Sequence, residues 1–143
     1  MLKKKEESRV KRLLKACRIL LEKPLELDET ITAEAGLKPE YVNALRNALA
    51  DLRMLFPNKP KSWFIRAAVR SIFVKKVSKN HWVVKGIRIL GDHYQEYHVT
   101  FNGEKYSCSC YTHLYGYHRR KRICTHIGAV MTNERVLRRL KLK

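Results

Sequence analysis

Two short Cys/His pairs constrain this chain more than any other feature. Cys108-Ser-Cys110 and Cys124-Thr-His126 bracket thirteen residues, YTHLYGYHRRKRI. A metal site, a disulfide knot and a loop that is merely rich in Cys and His are three ways to read such a cluster. Disulfide scaffolds belong to oxidising compartments and are dense in cysteine. Four cysteines in 143 residues are sparse for such a scaffold. The opening stretch MLKKKEESRVKRLL carries charge but is followed by no apolar segment of a secretory signal. We therefore expect an intracellular, reducing setting, cytoplasmic or nucleoid-associated, which disfavours the knot. In a strand, residues at i and i+2 share a face, so Cys108 and Cys110 would point their sulfurs the same way. The pair Cys124 and His126 repeats that spacing after a stretch long enough to loop back. Three Cys and one His make the closed tetrahedral set of a structural zinc ion, with no open position for a catalytic water. The expected ligands of one structural Zn²⁺ are Cys108, Cys110, Cys124 and His126. His113 and His118 are weaker competitors inside the loop. Cys17 falls on an apolar stripe and reads as core, while His81, His93 and His98 lack metal-like spacing.

The charge is as informative as the cysteines. Lys and Arg number 31 against 13 Asp and Glu, a net charge of +18. Such an excess repels itself unless an anion offsets it, and the commonest large intracellular polyanion is nucleic acid. An anionic membrane surface and a merely solvated basic surface are the alternatives. Residues 24–60 hold four basic and six acidic residues, whereas 1–23 hold nine and three, 61–100 eight and two, and 101–143 ten and two. Phosphate-facing surface is expected from the first helix and the C-terminal half, and not from the acidic middle, which would suit a protein partner. No stretch has the length and apolarity of a membrane span, so no membrane partner is expected.

Apolar residues at helical spacing predict a first helix over 5–22, with Val10, Leu13, Leu14, Cys17, Leu20 and Leu21 as its stripe. Asp28 or Thr30 would cap a short helix through Ala35, stopped by Gly36. Pro39 suits the first turn of a third helix through Met54, with Tyr41, Val42, Leu45, Leu49, Leu52 and Leu55 inward. Pro57 and Pro60 mark a break, after which a segment from Ser62 reads as helical to about Val74. HWVVKGIRIL, YQEYHVTF and EKYSCSC then look like three strands, with Asn102-Gly103 as the strongest hairpin signal. Thr125 to about Arg139 reads as a closing helix. The fold class expected is α+β: a helical N-terminal module over 1–60 and, over 61–143, a small antiparallel sheet plus helix built round the metal.

The residues CSC, thirteen others, then CTH followed by Ile127-Gly128-Ala129 resemble the SWIM zinc finger, whose pattern is CxC-xn-CxHxxA. Ala129 takes the Ala position, and the strands before Cys108 are similar to that family's lead-in hairpin. The resemblance covers about residues 72–140. It implies a zinc-stabilised unit of a small antiparallel sheet plus a helix, with DNA binding or protein–protein contact as the activity, in recombination, repair, transposition or chromatin settings.

The loop interleaves Tyr111, Tyr115 and Tyr117 with His118 and the run Arg119, Arg120, Lys121 and Arg122. Aromatics beside cations suit base stacking joined to phosphate contact, although the tyrosines could equally pack round the metal. Lys11, Arg12 and Lys15 on the first helix and Arg138 and Arg139 on the last extend the candidate nucleic-acid surface. Residues 29–55 have the outline of a helix-turn-helix with Asn43, Arg46 and Asn47 outward, but their acidic balance would repel phosphates. No Gly-rich phosphate loop, HExxH or nucleophile–base pair stands out, and scattered carboxylates such as Asp28, Glu29, Glu34 and Asp92 read as solvated, so no enzymatic activity is expected. The expected function is zinc-dependent nucleic-acid binding with DNA favoured. A ribosome-associated or other RNA-binding protein, and a protein–protein adaptor working through residues 24–60, are the alternatives.

Overall fold

The computed structural model describes residues 4–22, 35–112 and 123–141. Its helices are α1 (Lys4–Glu22), α2 (Pro39–Leu55), α3 (Lys61–Ser71) and α4 (Thr125–Lys141). Its strands are β1 (Val74–Ser78), β2 (His81–Lys85), β3 (Glu96–Phe101) and β4 (Tyr106–Cys108). The α+β class expected from the sequence is what forms.

Each helix buries the stripe its sequence spells. In α1, Val10, Leu13, Ala16, Cys17, Leu20 and Leu21 are buried. In α2, Pro39 occupies the first turn, where its missing N–H costs nothing, and Val42, Leu45, Leu49 and Leu52 face inward. Leu55, expected inward, is 51% exposed because the helix ends there. Helix α3 is the centre of the helical layer. Trp63, Phe64, Ile65, Ala67, Ala68 and Val69 are all buried, and so are Arg70 and Ser71. One apolar cluster joins α1, α2 and α3 to Val136 of α4.

The sheet is an antiparallel meander in the order β1-β2-β3-β4. Register pairs Trp82 with Val99 and Val84 with Tyr97 across β2–β3, and Val99 with Cys108 across β3–β4. Alternation puts Trp82, Val84, Tyr97, Val99 and Cys108 on one face. These residues pack with Ile127, Ala129 and Val130 of α4 in a second apolar cluster.

Three local expectations change. The helix from Ser62 stops at Ser71 rather than Val74, and VKKVS forms β1, which pairs with β2 through Val74 and Val84. The IRIL run is no strand: Arg88–Leu90 make a 3-10 turn. Cys110 lies not in β4 but in the 3-10 turn Ser109–Thr112 that follows it. The Asn102-Gly103 hairpin forms as expected, with Asn102 Oδ1 accepting from the backbone N–H groups of Glu104 and Lys105 at 2.9 and 2.8 Å. The expected short helix over 28–35 lies outside the described residues except at Ala35. No described helix is long and apolar enough to cross a membrane.

Candidate metal centre

The turn after β4 and the first turn of α4 bring four side chains together. The ligand atoms of Cys108, Cys110, Cys124 and His126 all lie within 4.8 Å of one another. Cys108, Cys110 and His126 are buried and Cys124 is half-buried. A tetrahedral zinc with Zn–S near 2.3 Å spaces its sulfurs by about 3.8 Å, so a small contraction would complete the shell. The four residues named from their spacing are the four the fold unites, and they could hold a metal ion.

Hydrogen bonding within the cluster prepares it for a cation. The Cys110 backbone N–H donates to Cys108 Sγ at 3.4 Å. Thiol hydrogen bonds from Cys108 and then Cys124 hold the Cys110 thiol far below its ordinary pKa. The same contacts with Cys110 and Cys124, together with burial, push Cys108 up. These contacts favour the thiolate at Cys110, and thiolate is the form that binds metal. The first turn of α4 adds the positive end of its helix dipole beside Cys124.

His126 is oriented from behind. Its Nε2 lies 3.0 Å from Asp92 Oδ1, and its ring stacks on Tyr97 at 4.0 Å between centroids and 20° between planes. With Nε2 engaged, Nδ1 is the free nitrogen, and it is buried with no hydrogen-bond partner. An orphaned buried nitrogen among three sulfurs is the mark of a ligand atom. Three sulfurs and an imidazole fit a soft or borderline divalent ion, and a metal-binding His characteristically gives its other nitrogen to a carboxylate, as His126 does to Asp92. Burial works against charge on His126, but the bond to Asp92 and the sulfurs of Cys110 and Cys124 push its pKa up to about 10.

Asp92 is the residue the sequence reading placed wrongly, among solvated carboxylates. Its side chain is only 5% exposed. Oδ2 accepts from the Ile87 N–H at 2.8 Å and is bonded by Arg70 Nη1. Burial opposes its ionisation, yet the His126 hydrogen bond and the Arg70 charge hold its pKa down at about 2. Arg70, itself 2% exposed, also donates from Nε to Thr125 Oγ1 at 3.0 Å and from Nη2 to the Leu90 carbonyl at 3.3 Å. The loop carrying Asp92 is shaped by Gly86, where a Cβ would come 1.8 Å from the Tyr94 carbonyl oxygen, and by Gly91, whose φ is +96°. A signal for Arg70 was present: it lies at i+7 from Trp63 and i+3 from Ala67, a charge on an apolar stripe.

The candidate nucleic-acid residues divide. Tyr115, Tyr117, His118, Arg119, Arg120, Lys121 and Arg122 lie outside the described residues, as do residues 29–34 of the helix-turn-helix outline. Lys11, Arg12 and Lys15 are exposed on α1, and Arg138 and Arg139 are exposed near the end of α4. Arg139 bonds Asp51 of α2 at 3.2 Å. The chain that follows residues 113–122 is anchored: the Ile123 carbonyl accepts from Trp63 Nε1 at 3.0 Å and from Lys59 Nζ at 3.3 Å. No known protein family, curated protein or solved structure matches the chain.

Proposed function

We propose that the chain is a zinc-dependent nucleic-acid-binding protein with DNA as its preferred partner, in a recombination, repair, transposition or chromatin-type accessory role. The observation that carries this reading is the convergence of Cys108, Cys110, Cys124 and His126 at the two ends of a loop whose sequence holds Arg119, Arg120, Lys121 and Arg122. Three thiolates and an imidazole favour Zn²⁺ over the oxygen-seeking divalent cations. The SWIM resemblance of the CxC-x13-CxHxxA pattern supports the same metal. When bound, the zinc would supply a crosslink between the end of β4 and the start of α4, and no reaction chemistry.

The chain's own residues would do the rest. Asp92 holds the imidazole so that Nδ1 is presented. Trp63 and Lys59 fix Ile123. Together these set the two ends of the basic loop. The net +18 and the exposed cations of α1 and α4 support largely electrostatic binding, in which each neutralised phosphate releases counterions.

The test pairs metal content with binding. Wild type should carry one zinc per chain and bind DNA with a steep dependence of log affinity on log salt. Cys124→Ser should lose both. A metal-free wild type overturns the zinc reading. Weak binding to DNA and RNA at low salt, with zinc present, overturns the nucleic-acid reading in favour of a protein partner at residues 24–60. Structured RNA outcompeting duplex DNA at matched salt would move the partner to an RNA.

A further inference from the structure

The acidic average of residues 24–60 hides a basic notch. Beyond the end of α2, the connector Phe56-Pro-Asn-Lys-Pro60 turns the chain back into α3. It leaves a cavity of about 90 Å³ lined by Arg53, Lys59 and Lys61 over a floor that includes Leu21, Phe56 and Phe64. No carboxylate lines it. Glu22 meets Lys61 Nζ from outside at 2.9 Å, so three cations against one carboxylate leave a local excess of positive charge. Arg53 and Lys61 are exposed. Lys59 is pre-placed, with Nζ on the Ile123 carbonyl at 3.3 Å and 5.4 Å from the Trp63 ring centroid.

Three cationic side chains lining one small notch that no carboxylate lines are complementary to a compact anion. Ile123, to which Lys59 is bonded, is the residue that follows Arg122 in the sequence. We infer that Arg53, Lys59 and Lys61 form a seat for one backbone phosphate of the nucleic acid, an inference that rests on the function proposed above. The proline-bounded connector and the held Lys59 lower the ordering cost of the contact. A phosphate contact of this kind positions the nucleic acid without reading its sequence.

The experiment measures the affinity of the full-length protein for a short duplex DNA of fixed length over a range of salt. The proteins compared are wild type, R53Q, R53Q/K61Q and E22Q, each with zinc content checked. The slope of log affinity against log salt should become shallower by up to roughly 0.9 when this one phosphate contact is lost, most fully in R53Q/K61Q and partly in R53Q. E22Q, which removes the opposing carboxylate and no cation, should bind severalfold tighter at low salt. If wild type binds but R53Q/K61Q keeps its slope and E22Q its affinity, the notch is overturned and the nucleic-acid reading stands. If wild type binds no nucleic acid at low salt, both fall together.

Discussion

Arg70→Met tests whether the buried charge chain behind His126 is an energetic unit. Met preserves most of the side chain's bulk and removes the guanidinium. Arg70, Asp92 and His126 side chains are 3%, 5% and 3% exposed, so solvent cannot replace what is lost. Asp92 would keep the Ile87 N–H at 2.8 Å and His126 at 3.0 Å but lose its only full positive neighbour from α3. Thr125, half-buried, can recruit water in place of the Arg70 Nε donor. The dominant cost is therefore the uncompensated carboxylate, and breaking a buried pair by removing one partner costs about 3–5 kcal/mol. Asp92→Asn strands the opposite charge and should cost a similar amount, while its remaining amide oxygen still accepts from His126. The double variant R70M/D92N leaves neither charge buried alone, so its loss should fall short of the sum of the singles by roughly 1–3 kcal/mol. Urea unfolding in zinc-buffered solution measures all four proteins, and chelator competition gives metal affinity. Asp92→Asn should weaken metal binding by about 10–100-fold, and Arg70→Met by less, since Asp92 still holds the imidazole. If Arg70→Met costs under about 1 kcal/mol, or the cycle is additive to within about 0.5 kcal/mol, Arg70 is packing and not part of a coupled network.

Three further outcomes follow from the packing. Gly128→Ala should gain about 1 kcal/mol from helix propensity, but its Cβ would meet the Trp63 ring at 2.8 and 2.9 Å, and overpacking costs about 1–3 kcal/mol; a thermal midpoint above wild type would refute the close α3–α4 seam. Burial pushes the Cys17 thiol from 9.0 up to about 12, so the unfolded chain releases this proton first and stability falls as pH rises between those values. The stability difference between wild type and Cys17→Ala should therefore narrow from pH 8.5 to pH 11, and a constant difference would contradict the burial. Chelation at pH 7 should strip hydrogen-exchange protection from β3, β4 and the first turns of α4 before α1 and α2; simultaneous loss throughout would show that metal and helical core form one cooperative unit.

Local features of the sequence were legible because they need no distant partner. The stripe Val10, Leu13, Cys17, Leu20 and the helix start at Pro39 are set by helical period and by proline geometry alone. The four candidate metal ligands were legible because each pair is confined to three residues. What escaped depends on pairing. In VKKVS the apolar residues Val74 and Val77 stand at i and i+3, which suits a helix as well as an edge strand, and only the register with β2 makes it β1. Asp92 reads as a turn residue until the fold places it beneath His126. Arg70 was the more readable of the two, since a charge on a stripe otherwise made of Trp63, Ala67 and their neighbours needs a buried partner, and such a partner is the kind of residue that stands behind a metal ligand.

Charge bookkeeping decides how far the metal centre can account for the basic character of the chain. With zinc bound as proposed, three thiolates and one Zn²⁺ sum to −1, and Asp92 and Arg70 cancel. The buried site would then ask for a single compensating positive charge, and the N-terminal dipole of α4 offers about half of one. Of a net +18, roughly seventeen units are left at the surface. The ion pairs Lys61–Glu22, Lys76–Glu134, Lys85–Glu6 and Arg139–Asp51 do not reduce that figure, because their carboxylates are already counted. An excess of this size destabilises the compact state by self-repulsion. A polyanion that neutralises even six to ten of these charges would remove that repulsion and gain the counterion release that makes such binding steeply salt-dependent. A bound metal would therefore account for three of the four cysteines but not for the charge, and the charge is the independent reason to look for a nucleic-acid partner.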